Sequence, residues 1–286
     1  MPGPELPTAP DAGPAHGACT SCAIYNSANL RKLGVETGTY DYVAAVAGNP
    51  NTGKSTVFNA LTGLRQHVGN WPGKTVARAE GGFHYHGHGY KLVDLPGTYS
   101  LLSTSNDEEI ARDFLLFGRP DVTIAVVDAT RLERNLNLVL QILQITDRVV
   151  VALNLMDESE RHGITIDVRH LARELGVPVT PMAARKGQGV PELLESVEQV
   201  ARGTVATRAH RVKHRDPRLE RAVDVLAGQL QQTFPGLPST RWVALRLLEG
   251  DPGTEQAVRD GTLGDLGRGI AGPEATSARP TGTAAR

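Results

Sequence analysis

Short apolar runs alternate with amphipathic stretches along the first two-thirds of the chain. The apolar runs have the length of buried strands, and the amphipathic stretches repeat with helical periodicity. Such alternation predicts an α/β fold: a mostly parallel sheet with right-handed crossovers, helices on both faces, and a ligand at the carboxyl ends of the strands. The predicted strands are Tyr42–Ala47, Val122–Asp128, Val149–Asn154 and Val177–Met182, and the predicted helices are Lys54–Gly63, Asn106–Phe117, Leu132–Ile145, Asp167–Leu175 and Val190–Val200.

One region departs from this alternation. Ala79–Tyr85 and Tyr90–Leu95 alternate apolar and polar positions around Gly87-His88-Gly89, which predicts an antiparallel hairpin. Residues 65–76 contain two glycines and a proline without periodicity, so they are predicted to form a loop. His84 and His86 would share a strand face with His88 in the turn. Because no carboxylate lies beside them in the sequence, a solvated hairpin is favoured over a metal site.

The pattern changes to helix only from about Arg211. Pro217–Gln232 and Ser239–Leu248 predict a small all-α domain, and the chain after it is rich in Gly, Ala, Thr, Pro and Arg. We therefore predict four parts: a flexible N-terminal extension at 1–39, the α/β domain at 40–204, an incomplete helical domain at 205–250 and a disordered tail at 251–286.

The first predicted strand runs into Gly48-Asn49-Pro50-Asn51-Thr52-Gly53-Lys54-Ser55, which reads G-x-x-x-x-G-K-[ST]. In this pattern, backbone N–H groups wrap the phosphates of a nucleotide, and glycines allow the backbone to approach them closely. The helix that follows adds the favourable field of its N-terminus. Lys54 is expected to reach the β- and γ-phosphates, and the Ser55 hydroxyl to bind Mg²⁺.

Two further motifs have the spacing of a nucleotide switch. Asp94-Leu95-Pro96-Gly97 follows a strand about forty residues beyond Lys54, where a carboxylate would face Mg²⁺ and the Gly97 N–H would bond the γ-phosphate. Thr75 lies some twenty residues beyond Ser55, where a second hydroxyl for Mg²⁺ is expected, although threonines in loops are common.

A third motif indicates which base is bound. Asn154-Leu155-Met156-Asp157 ends a predicted strand, and an aspartate there can accept hydrogens from both N1 and N2 of guanine, which adenine does not offer. The loop after Met182, with Ala183 and Ala184, is placed to cover the purine with backbone N–H groups. Together these motifs predict a P-loop GTPase fold.

Composition and charge narrow the function further. The net charge is −1, so no global positive field favours nucleic acid, and we expect no nucleic-acid partner. No apolar run approaches the roughly 18 residues of a membrane span, and the N-terminus lacks the regions of a signal peptide. A soluble, cytoplasmic protein is therefore expected.

Both cysteines lie near the N-terminus, in His16-Gly17-Ala18-Cys19-Thr20-Ser21-Cys22. C-x-x-C is half of a zinc or iron site or a redox dithiol, and His16 offers a third ligand. No second C-x-x-C completes a tetrahedral site, so an incidental dithiol is the competing interpretation.

From residue 40 to about 250, the chain resembles the cytosolic N-terminal region of the FeoB ferrous-iron transporter family. The resemblance is carried by the three motifs and by Val68-Gly-Asn-Trp-Pro-Gly-Lys-Thr-Val76, whose tryptophan is typical of this family. It implies a GTPase domain, a helical domain of the dissociation-inhibitor-like type, and a polytopic membrane domain that passes Fe²⁺. The 286 residues contain no such membrane domain.

The resemblance also implies residue roles. Asn51 matches the residue that helps bind an activating K⁺, with backbone carbonyls near Gly69 and Trp71 completing the shell; a loop-stabilising amide is the alternative for Asn51. Ser55, Thr75 and Asp94 match the Mg²⁺ residues. The implied catalytic residues are Asn51, Lys54, Thr75 and Gly97, and the implied nucleotide-binding residues are Gly48, Asn49, Pro50, Asn51, Thr52, Gly53, Lys54, Ser55, Thr56, Asp94, Leu95, Pro96, Gly97, Asn154, Leu155, Met156, Asp157, Ala183 and Ala184.

Three departures from common GTPase patterns matter. Thr98 follows Gly97, so no glutamine orients the attacking water and slow intrinsic hydrolysis is expected. Leu155 stands where many GTPases have a lysine over the base, which favours weak affinity and fast exchange. The purine loop reads Met182-Ala183-Ala184, without the common serine or threonine.

The leading hypothesis is a Mg²⁺-dependent, K⁺-stimulated GTP hydrolase that regulates ferrous-iron uptake. Its implied partners are guanine nucleotide (GTP and GDP), a membrane iron-permease domain at the cytoplasmic face of the inner membrane, and small Feo accessory proteins; a homo-oligomer is compatible with it. The alternative is a ribosome- or RNA-associated GTPase switch with little intrinsic turnover.

Overall fold

The sheet of this protein has seven strands in the order β2-β3-β4-β1-β5-β6-β7. The structure is a computed structural model that describes residues 30–36, 38–63, 66–102, 105–211, 216–235 and 237–259. The strands are β1 (Tyr42–Gly48), β2 (Gln66–Asn70), β3 (Ala77–Tyr85), β4 (His88–Asp94), β5 (Val122–Asp128), β6 (Val149–Asn154) and β7 (Val179–Pro181).

Five of the strands, β4, β1, β5, β6 and β7, pair in parallel, as the alternation of strands and helices predicts. Every residue of β5 and β6 is buried, since helices cover both faces of the sheet there. The α/β fold with a mostly parallel sheet is thereby confirmed. The carboxyl ends of β1, β4 and β6 carry the sequence motifs, and that of β7 precedes the loop with Ala183 and Ala184. These four ends lie along one edge of the sheet.

The helices divide between the two faces of the sheet. Phe58, Leu193 and Val197 pack on one face, whereas Phe114, Leu138 and Ile142 pack on the other. The helices of this domain are α1 (Lys54–Thr62), α2 (Asn106–Asp113), α3 (Leu132–Ile145), α4 (Met156–Arg161), α5 (Val168–Leu175) and α6 (Val190–Ala201). Helix α2 continues into a π-helical turn, Phe114–Gly118, within the stretch predicted to be one regular helix.

The hairpin of β3 and β4 is confirmed, but its surroundings differ from the prediction. Gln66–Asn70 is a strand, not a loop, because it pairs with the outer edge of β3 and needs no apolar alternation of its own. His86 occupies the turn with a left-handed φ of 46°, and His88 begins β4. No carboxylate lies beside these histidines in the sequence, but the fold brings Glu198 of α6 to 2.8 Å from His86.

The helical domain consists of α7 (Pro217–Thr233), α8 (Thr240–Leu248) and α9 (Pro252–Arg259). Helix α9 lies within the stretch predicted to be disordered, so that prediction is wrong for these eight residues. Asp251 caps this helix by accepting from the Thr254 N–H at 3.0 Å, a local signal that composition does not capture. Trp242 and Val243 belong to the same apolar cluster as Ile145 of α3.

The N-terminal end of the described chain also contributes to the core. Leu30 and Val35 are fully buried and belong to the apolar cluster that contains Phe114. The prediction of a flexible extension up to residue 39 is therefore wrong for these residues. Cys19, Cys22 and His16 lie outside the described residues.

A cavity of about 820 Å³ opens at the amino-terminal ends of the parallel strands. Tyr42, Asp121 and Arg148 line it, and each lies at or just before the start of a strand. The cavity is thus at the opposite edge of the sheet from Gly48. Across the described ranges, none of the helices has the length and apolar content needed to cross a membrane.

Candidate nucleotide site

The loop between β1 and α1 is built so that its backbone can lie close to a ligand. A Cβ on Gly48 would lie 2.7 Å from the Val126 carbonyl oxygen, and Gly53 has a left-handed φ of 82°. The buried Thr52 hydroxyl donates to the Asn49 carbonyl at 2.9 Å and closes the turn. Helix α1 begins directly after this turn, so the N–H groups of its first turn face the space above the loop.

Lys54 and Asp94 meet across this site. The Lys54 ammonium donates to Oδ1 of Asp94 at 2.5 Å, and both side chains are largely buried. Burial raises the pKa of Asp94, an effect that the charge and hydrogen bond of Lys54 partly oppose. The predicted phosphate-binding lysine and the predicted Mg²⁺ carboxylate are thus brought together. Ser55 and Thr56 are exposed at the start of α1.

The Asp94–Gly97 segment rests directly on the phosphate loop. Leu95 donates its N–H to the Val46 carbonyl at 2.9 Å, and Thr98 donates to the Gly48 carbonyl at 3.3 Å. A Cβ on Gly97 would lie 3.5 Å from Pro50, so Gly97 sits against the loop. The two motifs therefore form one surface, as their spacing predicts.

The tryptophan-containing segment packs against α2 and the π-helical turn that follows it. The Trp71 ring is buried, contacts Phe114 edge-on with 5.7 Å between ring centroids, and lies under the guanidinium of Arg78. Lys74 reaches Glu109 of α2 at 2.7 Å. Thr75 is exposed between these contacts and makes no hydrogen bond to Ser55 within the described part of the chain.

The candidate K⁺ residues come from the phosphate loop, from β2 and from the residue directly after β2. Asn51 is exposed in the phosphate loop with a left-handed φ of 67°, a conformation that asparagine tolerates. Gly69 lies in β2 opposite Arg78, and the Trp71 carbonyl accepts from the Lys74 N–H at 3.0 Å.

Asn154 joins the phosphate loop to the loop that was predicted to cover the purine. Its side-chain amide donates to the Thr52 carbonyl at 3.0 Å and accepts from the Ala184 N–H at 3.0 Å, and the residue is 1% exposed. Asparagine suits this position because it offers one donor and one acceptor without charge. These bonds fix the distance between the phosphate loop and the loop that contains Ala184.

Asp157 stands at the open end of the same site. Lys186 lies 2.8 Å from Oδ2 of Asp157, and its hydrogen bond lowers the pKa of that carboxyl. Leu155 has a left-handed φ of 64°, which turns the chain so that Asp157 enters α4. Lys186 was not among the predicted site residues. The pair of basic residues after Ala184, Arg185 and Lys186, was the available signal for it.

Two family models match this chain. The model described as ferrous iron transport protein B matches residues 42–197, and the model described as FeoB cytosolic helical domain matches residues 216–271. The second match includes α9 and extends beyond the predicted end of the helical domain.

Curated relatives and solved structures agree with these models. The Fe(2+) transporter FeoB of Salmonella typhimurium is 46% identical over 208 residues, which are 71% of this chain and 26% of the relative. The corresponding transporter of Escherichia coli K12 is 44% identical over the same shares. This chain therefore spans about a quarter of the length of the curated relatives it matches.

The cytosolic domain of L. pneumophila FeoB has a TM-score of 0.70 at 38% identity, covering 78% of this chain and 88% of that one. The cytosolic domain of T. maritima FeoB in a GDP form has a TM-score of 0.70 at 36% identity, covering 84% and 89%. The structure and the comparisons therefore agree. The chain contains the phosphate loop, the buried Asn154 and a helical domain after the sheet, and both family models match it. The chain belongs to the FeoB ferrous iron transport protein B family, of which it contains a G domain with a GTPase fold and helical-domain residues.

Proposed function

We propose that this chain binds and hydrolyses GTP as the Mg²⁺-dependent, K⁺-stimulated regulatory domain of a ferrous-iron transport system. The observation that carries the proposal is the double hydrogen bond of Asn154, because it makes the phosphate loop and the base loop parts of one site. Asp157 at the open end of that site supplies the acceptor for guanine N1 and N2. The solved T. maritima relative in a GDP form supports the choice of nucleotide.

The phosphates would be bound by Lys54 and the backbone of its loop. On binding, the Lys54 ammonium would turn from Asp94 to the β- and γ-phosphates, because phosphate oxygens carry more negative charge than one carboxylate. The Gly97 N–H, which lies against Pro50, would donate to the γ-phosphate. Release of that bond after hydrolysis would free the Asp94–Gly97 segment.

The residues present fit both proposed ions. Ser55, Thr75 and Asp94 offer hydroxyl and carboxylate oxygens, which Mg²⁺ prefers, and Lys54 uses only Oδ1 of Asp94. Asn51 and the carbonyls of Gly69 and Trp71 offer neutral oxygens for K⁺, and a carbonyl that already accepts one bond keeps a second lone pair. When bound, the ions would neutralise charge that develops on the phosphates during hydrolysis.

Turnover is expected to be slow in this chain alone. Thr98 is buried and its N–H is bonded to Gly48, so its side chain is not placed to orient water as a glutamine would be. Hydrolysis then depends on positioning and on charge neutralisation.

Single-turnover hydrolysis of GTP in KCl and in NaCl tests the ion assignment. We expect faster turnover in KCl, and we expect Asn51→Ala to remove most of the difference. Equal rates in both salts would refute the K⁺ role while leaving the GTPase proposal standing.

A change of base tests the assignment of Asp157. Asp157→Asn replaces one of the two acceptor oxygens by an NH₂ donor, which matches the C2 carbonyl of xanthine better than the amino group of guanine. We expect the variant to lose at least about tenfold in GDP affinity and to gain in xanthosine diphosphate affinity. Unchanged preference for guanine would show that Asp157 does not read the base.

The remaining proposals concern the whole transporter. The curated relatives are about four times as long as the matched stretch, so a membrane iron-permease domain is the proposed partner, at the cytoplasmic face of the membrane. Small Feo accessory proteins are further proposed partners.

A further inference from the structure

Three side chains with metal-ligand chemistry meet where the β3–β4 turn contacts α6. His86 in the turn places its Nδ1 2.8 Å from Oε2 of Glu198. Glu195 and Glu198 are three positions apart on α6, so their side chains lie on the same face of the helix. One ligand atom from each of the three residues lies within 4.8 Å of the other two.

This cluster is separate from the nucleotide site. Strand β4 begins at His88, beside the cluster, and ends at Asp94, beside Lys54. Six residue steps along a strand span about 20 Å. No residue of the cluster is among those assigned to nucleotide, Mg²⁺ or K⁺, so the cluster needs an explanation of its own.

The donor set indicates the class of cation. One imidazole nitrogen with two carboxylates suits borderline first-row ions such as Zn²⁺ and Fe²⁺, whereas Mg²⁺ and Ca²⁺ prefer oxygen ligands alone. Metal–ligand bonds of about 2.0–2.2 Å place ligand atoms about 3.3–3.6 Å apart in tetrahedral geometry. The ligand atoms of the three residues all lie within 4.8 Å of one another, close to this spacing. The side chain of His86 is 60% exposed, which leaves room for water ligands and a path for entry.

Neighbouring side chains orient the two carboxylates. Gln199 donates to Oε1 of Glu195 at 2.7 Å, and Arg202 donates to Oε1 of Glu198 at 3.0 Å. Oε2 of Glu198 therefore remains turned toward His86. Hydrogen bonds from His86 and Arg202 lower the pKa of Glu198. Outer partners of this kind hold metal ligands in place.

We propose that His86, Glu195 and Glu198 form a binding site for a divalent first-row transition-metal ion of the Zn²⁺ or Fe²⁺ class, separate from the nucleotide site. The metal would take the place of the hydrogen bond between Nδ1 of His86 and Oε2 of Glu198, and it would tie the hairpin turn to α6. Glu198 is the buried anchor, and His86 and Glu195 are the exposed ligands that complete the site.

Calorimetric titration of the metal-free protein with Zn²⁺, and with Fe²⁺ under anaerobic conditions, tests the proposal. The titration is done in excess Mg²⁺ without nucleotide, in the native chain and in a Cys19→Ser, Cys22→Ser background that removes the thiols. We expect one equivalent of Zn²⁺ or Fe²⁺ to bind in the thiol-free background, and any further equivalent in the native chain to depend on the thiols. His86→Asn and Glu195→Gln should each weaken binding at least about tenfold.

The matched control is His84→Asn, because His84 is exposed on the same hairpin but outside the cluster. Asparagine at position 86 also tolerates the left-handed backbone, so the variant should fold. Zn²⁺ should raise the Tm of the native chain and of His84→Asn, but not of His86→Asn. The proposal is overturned if no saturable binding occurs in the thiol-free background, or if His86→Asn binds with native stoichiometry and affinity.

Discussion

At the scale of single residues, Asn154 and Asp157 do different work although one motif contains both. Asn154 is buried and uses both ends of its amide to join two loops. Asp157 is partly exposed and pairs with Lys186. The positions of both residues could be predicted from the sequence, since a strand tip must lie at the ligand edge. The partners of their side chains could not, because they depend on how loops 30 and 102 residues away pack.

Asn154→Ala should weaken the fold as well as the site. The substitution leaves the Thr52 carbonyl and the Ala184 N–H without their buried partner, at a cost of about 1–3 kcal/mol for each group. We expect the free energy of unfolding, measured by urea denaturation, to fall by about 2–6 kcal/mol. Asn70→Ala, at an exposed position of β2, is the control and should change it by less than about 0.5 kcal/mol. A similar small change for Asn154→Ala would contradict the structural role.

Lys186→Met should raise the pKa of Asp157. The ion pair lowers that pKa in the folded state, so its contribution to stability is present above the unfolded-state pKa and is lost as pH falls through the folded-state pKa. Carbon NMR titration of the Asp157 carboxyl should therefore show a midpoint closer to the ordinary value in the variant. Arg185→Met, exposed in the same loop, should leave the midpoint unchanged. An unmoved midpoint in Lys186→Met would argue against the pairing.

At the scale of elements, the sequence pattern predicts an element well where the element's own residues form a buried run or a buried helix face. Val122–Asp128, Leu132–Ile145 and Val149–Asn154 begin and end at the predicted residues. Strand β2 could not be predicted because it is stabilised by pairing with β3. That pairing uses the backbone, so the sequence of β2 needs no alternation of apolar and polar residues. Helix α9 could not be predicted from composition, because the residues around it have the composition of a disordered segment. The signal for the helix is local: Asp251 caps its first turn.

The segment 71–76 is docked on α2 by an ion pair that is weak enough to break. Lys74 and Glu109 are each about one-third exposed, so their pair contributes about 0–1 kcal/mol. Lys74→Met should therefore leave global stability nearly unchanged and speed hydrogen exchange of the Trp71 and Lys74 N–H groups about two- to fivefold. Arg259→Met, which removes an exposed pair on α9, serves as the control. Unaltered exchange at both groups would show that Lys74 does not hold the segment.

At the scale of the whole molecule, the sheet domain and the helical domain share one apolar cluster. Trp242 and Val243 of α8 lie in the same cluster as Trp71. Polar bonds reinforce the junction, since Ser239 donates to the Ile145 carbonyl at 2.6 Å and Arg211 donates to the Leu143 carbonyl at 3.1 Å. A shared core favours cooperative unfolding of the two domains.

The chain contains two tryptophans, one in each domain, which makes this cooperativity measurable. Trp71→Phe leaves Trp242 as the only indole fluorophore, and Trp242→Phe leaves Trp71. In each variant, we expect the urea transition by fluorescence to coincide with the transition by far-ultraviolet circular dichroism. A Trp242 signal that is lost well before the circular dichroism signal would show that the helical domain unfolds separately.

The central claim is that the loop Gly48–Ser55 and the base-reading end of β6 make this chain a GTP hydrolase. Single-turnover hydrolysis of GTP and of ATP, measured with Mg²⁺ and K⁺ in the native chain and in Lys54→Ala, tests it most directly. We expect measurable turnover of GTP, little of ATP, and a loss of at least about 100-fold for GTP in Lys54→Ala. Equal turnover of the two nucleotides, or native turnover in Lys54→Ala, would contradict the account.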